Sequence, residues 1–88
     1  MKRSRVEMLH DMLEAIQAKG GQIKPTHLLY KANLSHDALK RYVQELTDGG
    51  LVEFRETKRG KVYALTDKGY DFLSQYKQFR EFSESFGI

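Results

Sequence analysis

The sequence predicts a single α+β domain that is mostly α-helical and carries a long helix at its C-terminal end. Apolar residues recur every three or four positions in most of the chain, which is typical of amphipathic helices. Between Gly50 and Thr66 the spacing changes to two, and a charged turn interrupts it, which predicts a β-hairpin. A chain of 88 residues can form one domain with one modest core, which excludes a two-domain enzyme.

The first helix is predicted over residues 5–19. Ser4 and Glu7 have the spacing of a capping box, and Gly20-Gly21 follows the last helical turn. Its apolar stripe, which should pack on the rest of the domain, consists of Val6, Leu9, Leu13 and Ile16.

Two shorter helices follow with a tight break between them. Pro25 suits the first position of a helix over residues 25–32, because the N–H that proline lacks has no partner there. Residues 33–35 break this helix, and Ser35 is a good N-cap for a second helix from His36 to about Asp48. Gly49-Gly50 ends the second helix. A break of about three residues lets the two helices cross steeply and share one core.

The hairpin begins with Leu51, Val52 and Phe54 and returns through Val62, Tyr63 and Leu65, around a turn at residues 58–60. Gln22-Ile23 is predicted to add a short strand beside it. Thr66 caps the last helix, which starts at Asp67. This order of elements predicts a winged helix-turn-helix: three helices plus a β-hairpin wing, with an extended C-terminal helix.

Basic residues are unevenly distributed along the chain. The formal net charge is +3, but residues 1–66 carry twelve Lys and Arg against eight Asp and Glu, whereas residues 67–88 carry three against four. A basic face beside a groove-reading motif favours double-stranded DNA as the partner, because neutralised phosphates release condensed counterions. The alternative is a small α+β domain whose charged hairpin is only a solvated edge.

Three sets of residues are candidates for contacting DNA. In a helix-turn-helix the second helix enters the major groove with its N-terminal and outward residues, here Ser35, His36, Lys40, Arg41 and Gln44. Arg41 and Gln44 are the candidates for base edges, and Lys40 for phosphate. The wing would lie on the backbone or minor groove through Arg55, Lys58, Arg59 and Lys61. An N-terminal arm of Lys2, Arg3 and Arg5 would add phosphate contacts.

Aromatic residues continue along the last helix beyond the reach of a compact domain. We expect residues 1–73 to form the winged helix-turn-helix and residues 74–88, the C-terminal end of the last helix, to serve dimerisation. An exposed apolar stripe usually marks an interface, and a homodimer would be built partly on Tyr76, Phe79, Phe82 and Phe86. The alternative is that the helix folds back on the first helix, where Met8 and Met12 would receive the rings.

Four segments together resemble the small archaeal winged-helix DNA-binding proteins of about ten kilodaltons. They are residues 30–35 (Tyr-Lys-Ala-Asn-Leu-Ser), 39–42 (Leu-Lys-Arg-Tyr), 50–52 (Gly-Leu-Val) and 63–69 (Tyr-Ala-Leu-Thr-Asp-Lys-Gly). The first of these is the most specific, and the last is widespread among winged helices. The resemblance implies double-stranded DNA binding, a role in transcription control or chromosome organisation, and dimerisation through the last helix. The short, phenylalanine-rich end departs from the longer leucine-rich helices common in that family.

The sequence offers little support for catalysis, a metal site or a cofactor. His10, His27 and His36 lie on three different predicted helices, and we expect no carboxylate at metal-ligand spacing. No cysteine is present. The basic start lacks a secretory apolar run, and no window reaches membrane-spanning length, so a cytoplasmic, nucleoid-associated protein without a small-molecule ligand is expected. The competing function is a winged-helix protein-interaction module that does not bind DNA.

Overall fold

The computed structural model describes residues 3–87 and contains four helices and three strands within them. In chain order these are α1 (Arg5–Ala18), β1 (Gln22–Ile23), α2 (Pro25–Lys31), α3 (His36–Asp48), β2 (Val52–Thr57), β3 (Gly60–Leu65) and α4 (Asp67–Ser85). This is the predicted winged helix-turn-helix, including the short strand at Gln22–Ile23.

The helices begin where the sequence places N-caps. The Ser4 hydroxyl accepts a hydrogen bond from the Glu7 N–H at 3.2 Å, and the Glu7 carboxylate accepts one from the Ser4 N–H in return. Ser35 caps α3 in the same way, accepting from the Ala38 N–H at 3.1 Å. Each cap satisfies a backbone donor that the first helical turn leaves without a partner.

The corner between α2 and α3 depends on two residues. Asn33 adopts a left-handed conformation with φ of 55°, which asparagine tolerates better than most residues. Leu34 then packs against the core. At the other end of α3, Gly50 takes the left-handed position with φ of +76° that stops the helix.

The three strands form one antiparallel sheet in the order β1-β3-β2. In the wing, Phe54 pairs with Tyr63 and Thr57 pairs with Gly60, so Lys58 and Arg59 form the turn. The Thr57 hydroxyl accepts from the Arg59 N–H at 3.2 Å and donates to the Gly60 carbonyl at 2.8 Å. These bonds hold the basic tip of the wing in a defined turn.

The core lies between α1, the helix-turn-helix and the sheet. Its most completely buried side chains are Met12, Leu13, Ile16, Leu28 and Leu46. Met12 is therefore part of the core. Leu73 is the last buried residue of α4, and the helix continues to Ser85 beyond the packed domain. The molecule is accordingly elongated, with principal extents of 47, 28 and 21 Å.

Candidate nucleic-acid interface

Helix α3 presents its polar face to solvent. Leu39, Val43 and Leu46 anchor the opposite face in the core, because they recur at three and four positions. All five residues predicted for major-groove recognition are exposed: Ser35, His36, Lys40, Arg41 and Gln44. The structure thus leaves all five accessible to solvent.

Two of those side chains already have neighbours within the chain. The Gln44 amide donates to the Asp48 carboxylate at 2.8 Å, so its nitrogen is turned along the helix. The Arg41 guanidinium carbon lies 5.1 Å from the centroid of the Tyr42 ring, within cation–π distance. Lys40 forms no ion pair with a residue in 3–87. The second N–H and the carbonyl oxygen of the Gln44 amide are left for other partners.

The wing carries its free positive charge at the tip. Lys58 and Arg59 occupy the turn, and neither forms an ion pair within the part of the chain that the structure describes. Arg55 is different, because its guanidinium donates to the Glu53 carboxylate, with 2.8 Å between Nε and Oε1. Lys61 faces Glu56 across the strand ladder. The set of wing residues predicted from the sequence did not take account of Glu53. This carboxylate offsets part of the positive charge of Arg55.

The arginines of the predicted arm contact their own chain. The Arg3 guanidinium donates to the Asp11 carboxylate at 2.7 Å and to the Ala32 carbonyl at 2.7 Å, joining α1 to the end of α2. Arg5 donates to the Glu45 carboxylate of α3 at 3.1 Å. Lys2 lies outside the described residues. The two arginines therefore link α1 to α2 and α3, and their contact with DNA stays a prediction.

A shallow depression separates α3 from the wing, and we call it the crease. Its lining comes from both elements: Val43, Gln44, Thr47, Phe54 and Tyr63. The Tyr63 ring is half-buried and packs against the core, and burial raises the pKa of its hydroxyl above the usual value of 10.0. The crease joins the two predicted DNA-contacting elements into a continuous surface.

The aromatic stripe of α4 divides into two parts. Tyr76 stacks on His10 of α1 with 4.0 Å between ring centroids, so it is held within its own chain. Phe79, Phe82 and Phe86 are each more than half exposed, and the last two contact each other with centroids 4.7 Å apart. Folding back on α1 therefore accounts for Tyr76 and leaves the three phenylalanines uncovered.

Sequence reasoning missed a second basic surface on the outside of α2. Lys19, His27, Tyr30 and Lys31 line one shallow depression there, and Tyr30 is 75% exposed. The sequence indicates such a surface, because residues 15–36 contain no Asp or Glu. This surface includes part of the specific Tyr-Lys-Ala-Asn-Leu-Ser segment.

The expectation about the histidines was wrong for His10. Its Nδ1 lies 3.4 Å from the Asp11 carboxylate and its Nε2 lies 3.7 Å from that of Glu14, one helical turn away. Even so, residues 3–87 contain no group of three or more metal-ligating side chains placed to hold an ion. Among the same residues, no helix combines the length and apolar character needed to cross a bilayer.

Comparison with known proteins agrees with this geometry. A family model described as winged helix-turn-helix matches residues 2–84. An uncharacterized protein of Methanocaldococcus jannaschii is 28% identical over 78 residues, which are 89% of this chain and 34% of that protein. The chain thus spans about a third of the length of this curated relative.

Two solved structures are similar over almost the whole chain. Sso10a-2, a DNA-binding protein from Sulfolobus solfataricus, has a TM-score of 0.79 at 20% identity, covering 96% of this chain and 85% of that one. F93 from STIV, a winged-helix DNA-binding protein, has a TM-score of 0.76 at 21% identity, covering 91% and 92%. At these identities the similarity concerns the fold.

Proposed function

The chain belongs to the winged helix-turn-helix family, and we propose that it binds double-stranded DNA as a homodimer, in transcription control or chromosome organisation. In this proposal α3 lies in the major groove and the wing lies on the adjacent backbone or minor groove. The proposed site of action is the cytoplasm, at the nucleoid. The DNA-binding proteins of the same fold support the partner class.

The observation that carries the proposal is the pairing of an exposed polar α3 face with an uncompensated basic wing tip. Helix α3 itself carries Lys40 and Arg41 against Asp37, Glu45 and Asp48, so it cannot supply much electrostatic affinity. Lys58 and Arg59 have no acidic partner among residues 3–87 and can neutralise phosphates. Affinity would therefore come mainly from the wing, and any base discrimination from α3.

The roles proposed on α3 follow from side-chain chemistry. Arg41 would donate to guanine edges and Gln44 to adenine edges, while Lys40 would contact phosphate. Ser35 and His36 lie at the N-terminal end of the helix, which points toward the DNA in this arrangement. The Ser35 hydroxyl already accepts from the Ala38 N–H, so its hydrogen-bond donor remains available for phosphate.

The homodimer proposal rests on the uncovered part of α4. Phe79, Phe82 and Phe86 follow helical spacing, so they lie on one face. A second copy of the chain would cover this face if the two helices paired along it. Residues 74–88 would then be the dimerisation segment, with Tyr76 contributing from its position against His10.

A protein-interaction module is the second candidate. It is favoured by the internal pairing of Arg3, Arg5 and Arg55 with acids, which offsets part of the positive charge that DNA would meet. The near-neutral charge of α3 also favours a protein-interaction module. In this case the wing tip and α3 would face an acidic protein surface.

A titration with an arbitrary DNA duplex at low salt separates the two functions. Fluorescence anisotropy of a labelled duplex should rise at protein concentrations well below millimolar, and added salt should weaken the binding. Binding that appears only above millimolar protein would contradict the DNA proposal and support the interaction module.

A further inference from the structure

We propose that the crease between α3 and the wing is a binding site for the deoxyribose edge of one DNA strand, with Phe54 as its central contact. This inference rests on the proposed DNA binding and assigns a ligand to a surface that no charged residue explains. Its starting observation is a partly exposed aromatic ring on the apolar face of the wing. Phe54 is 46% exposed in a wing whose neighbouring residues, Glu53 and Arg55, are charged.

The Phe54 ring is held in a fixed position. It contacts the Tyr63 ring with 5.4 Å between centroids, and the two residues are partners across the strand ladder. Ladder partners share one face of a sheet, and this face meets Val43 and Thr47 of α3 in the crease. The exposed part of the ring therefore looks into the space between the recognition helix and the wing.

The geometry of a duplex determines what passes through that space. The major and minor grooves are separated by a sugar–phosphate strand. If α3 occupies the major groove and the wing lies on the adjacent minor groove, the strand between these grooves must cross the crease. The occupant of the crease is thus backbone.

The chemistry of the crease fits alternating sugar and phosphate. Deoxyribose presents C–H groups that can bury the exposed part of the Phe54 ring. The Lys61 ammonium lies 6.0 Å from the centroid of that ring and is placed to meet an adjoining phosphate. A ring without charge next to a cation matches the alternation along the strand.

Three carboxylates lie near the crease, and two of them have hydrogen-bond partners within the chain. Asp48 accepts from the Gln44 amide, and Glu53 is held by Arg55 on the opposite face of the wing. Glu56 is the ladder partner of Lys61 and lies nearer the tip than Phe54. None of these carboxylates lines the crease, and all five of its lining side chains are uncharged.

The test measures duplex affinity over a series of salt concentrations for the full chain and for Phe54→Ala. We expect the substitution to weaken binding about tenfold and to leave the slope of log affinity against log salt unchanged, because no cation is removed. Phe54→Leu should recover part of the affinity. Val6→Ala is the matched control, since Val6 is 49% exposed on α1, outside the crease lining.

Two results would overturn the inference. The first is that Phe54→Ala binds duplex as tightly as the parent chain. The second is that Phe54→Ala loses no more duplex affinity than Val6→Ala. Isotope-filtered nuclear magnetic resonance of the complex gives an independent check, with contacts expected between Phe54 ring protons and deoxyribose protons. Contacts to bases alone, or to no DNA proton, would also overturn it. Failure of the parent chain to bind any duplex would instead contradict the proposed function itself.

Discussion

The hydroxyl oxygen of Thr66 lies 2.6 Å from the carbonyl oxygen of Gly50 and donates a hydrogen bond to it. The same hydroxyl accepts from the Gly69 N–H at 3.1 Å, which caps α4. Beside it, the Lys68 ammonium donates to the Gly49 carbonyl at 2.7 Å. These hydrogen bonds join the start of α4 to the end of α3.

Thr66→Val should lower the free energy of unfolding by about 1–2 kcal/mol, because the isosteric side chain cannot cap α4 or donate to Gly50. Urea denaturation followed by circular dichroism measures this change. Thr66→Ser keeps the hydroxyl and serves as the control, with most of the stability retained. Equal stability of the valine and serine variants would show that neither hydrogen bond contributes.

Gly69→Ala should destabilise the fold by about 2 kcal/mol or more, although alanine is the better helix former. A Cβ atom at this position would lie 2.3 Å from the Leu51 carbonyl oxygen, so α4 would have to move away from the start of β2. Thermal unfolding compares this variant with Ser74→Ala, an exposed substitution in the same helix. A Gly69→Ala variant as stable as this control would contradict the close approach.

The local features of this fold were predictable from the sequence because each depends on a few neighbouring residues. Ser4, Ser35 and Thr66 cap helices wherever they precede an amphipathic run, and Gly50 stops one by its conformational freedom. The hairpin followed from the change in periodicity. The caps, the glycine stop and the change in periodicity together predict the order of helices and strands. That order is the one found in winged helices.

The partners of the arginines could not be predicted in the same way. Arg5 contacts Glu45 and Arg3 contacts the Ala32 carbonyl, which are distant in sequence and adjacent only after the helices pack. Charge counting treats every arginine as unpaired, whereas packing pairs Arg3 with Asp11 and Arg5 with Glu45. The roles of the remaining site residues stay predictions.

The stability of the fold should fall at alkaline pH through Tyr63. Burial raises the pKa of its hydroxyl in the folded chain above 10.0, so the unfolded chain loses this proton first. The stabilisation is complete below the unfolded pKa and is lost as pH rises through the folded pKa. Urea denaturation between about pH 9 and pH 11 should show a shallower decline for Tyr63→Phe. Parallel declines in the two proteins would contradict this assignment.

Replacing Phe79 and Phe82 together by serine should convert the proposed dimer to a monomer. Both rings are exposed in the single chain, and burial of a large apolar side chain contributes about 1.5–3 kcal/mol. Light scattering at several concentrations should give half the parent mass. Gln78→Ser, an exposed substitution next to Phe79, should leave the mass unchanged. A monomeric parent chain at every concentration would remove the dimer proposal.

In the proposed complex, Lys58 and Arg59 at the wing tip bind the phosphates of duplex DNA. The most direct test of this contact compares the salt dependence of duplex affinity between the parent chain and the double variant Lys58→Ala/Arg59→Ala. Each phosphate contact contributes a slope of about −0.9, so the double substitution should flatten the slope by about 2 units and weaken binding on all sequences. Arg55→Ala removes an arginine that is already paired with Glu53, so it should change the slope less than the double substitution does. A parent chain that binds duplex with a slope unchanged by the double substitution would contradict the claim.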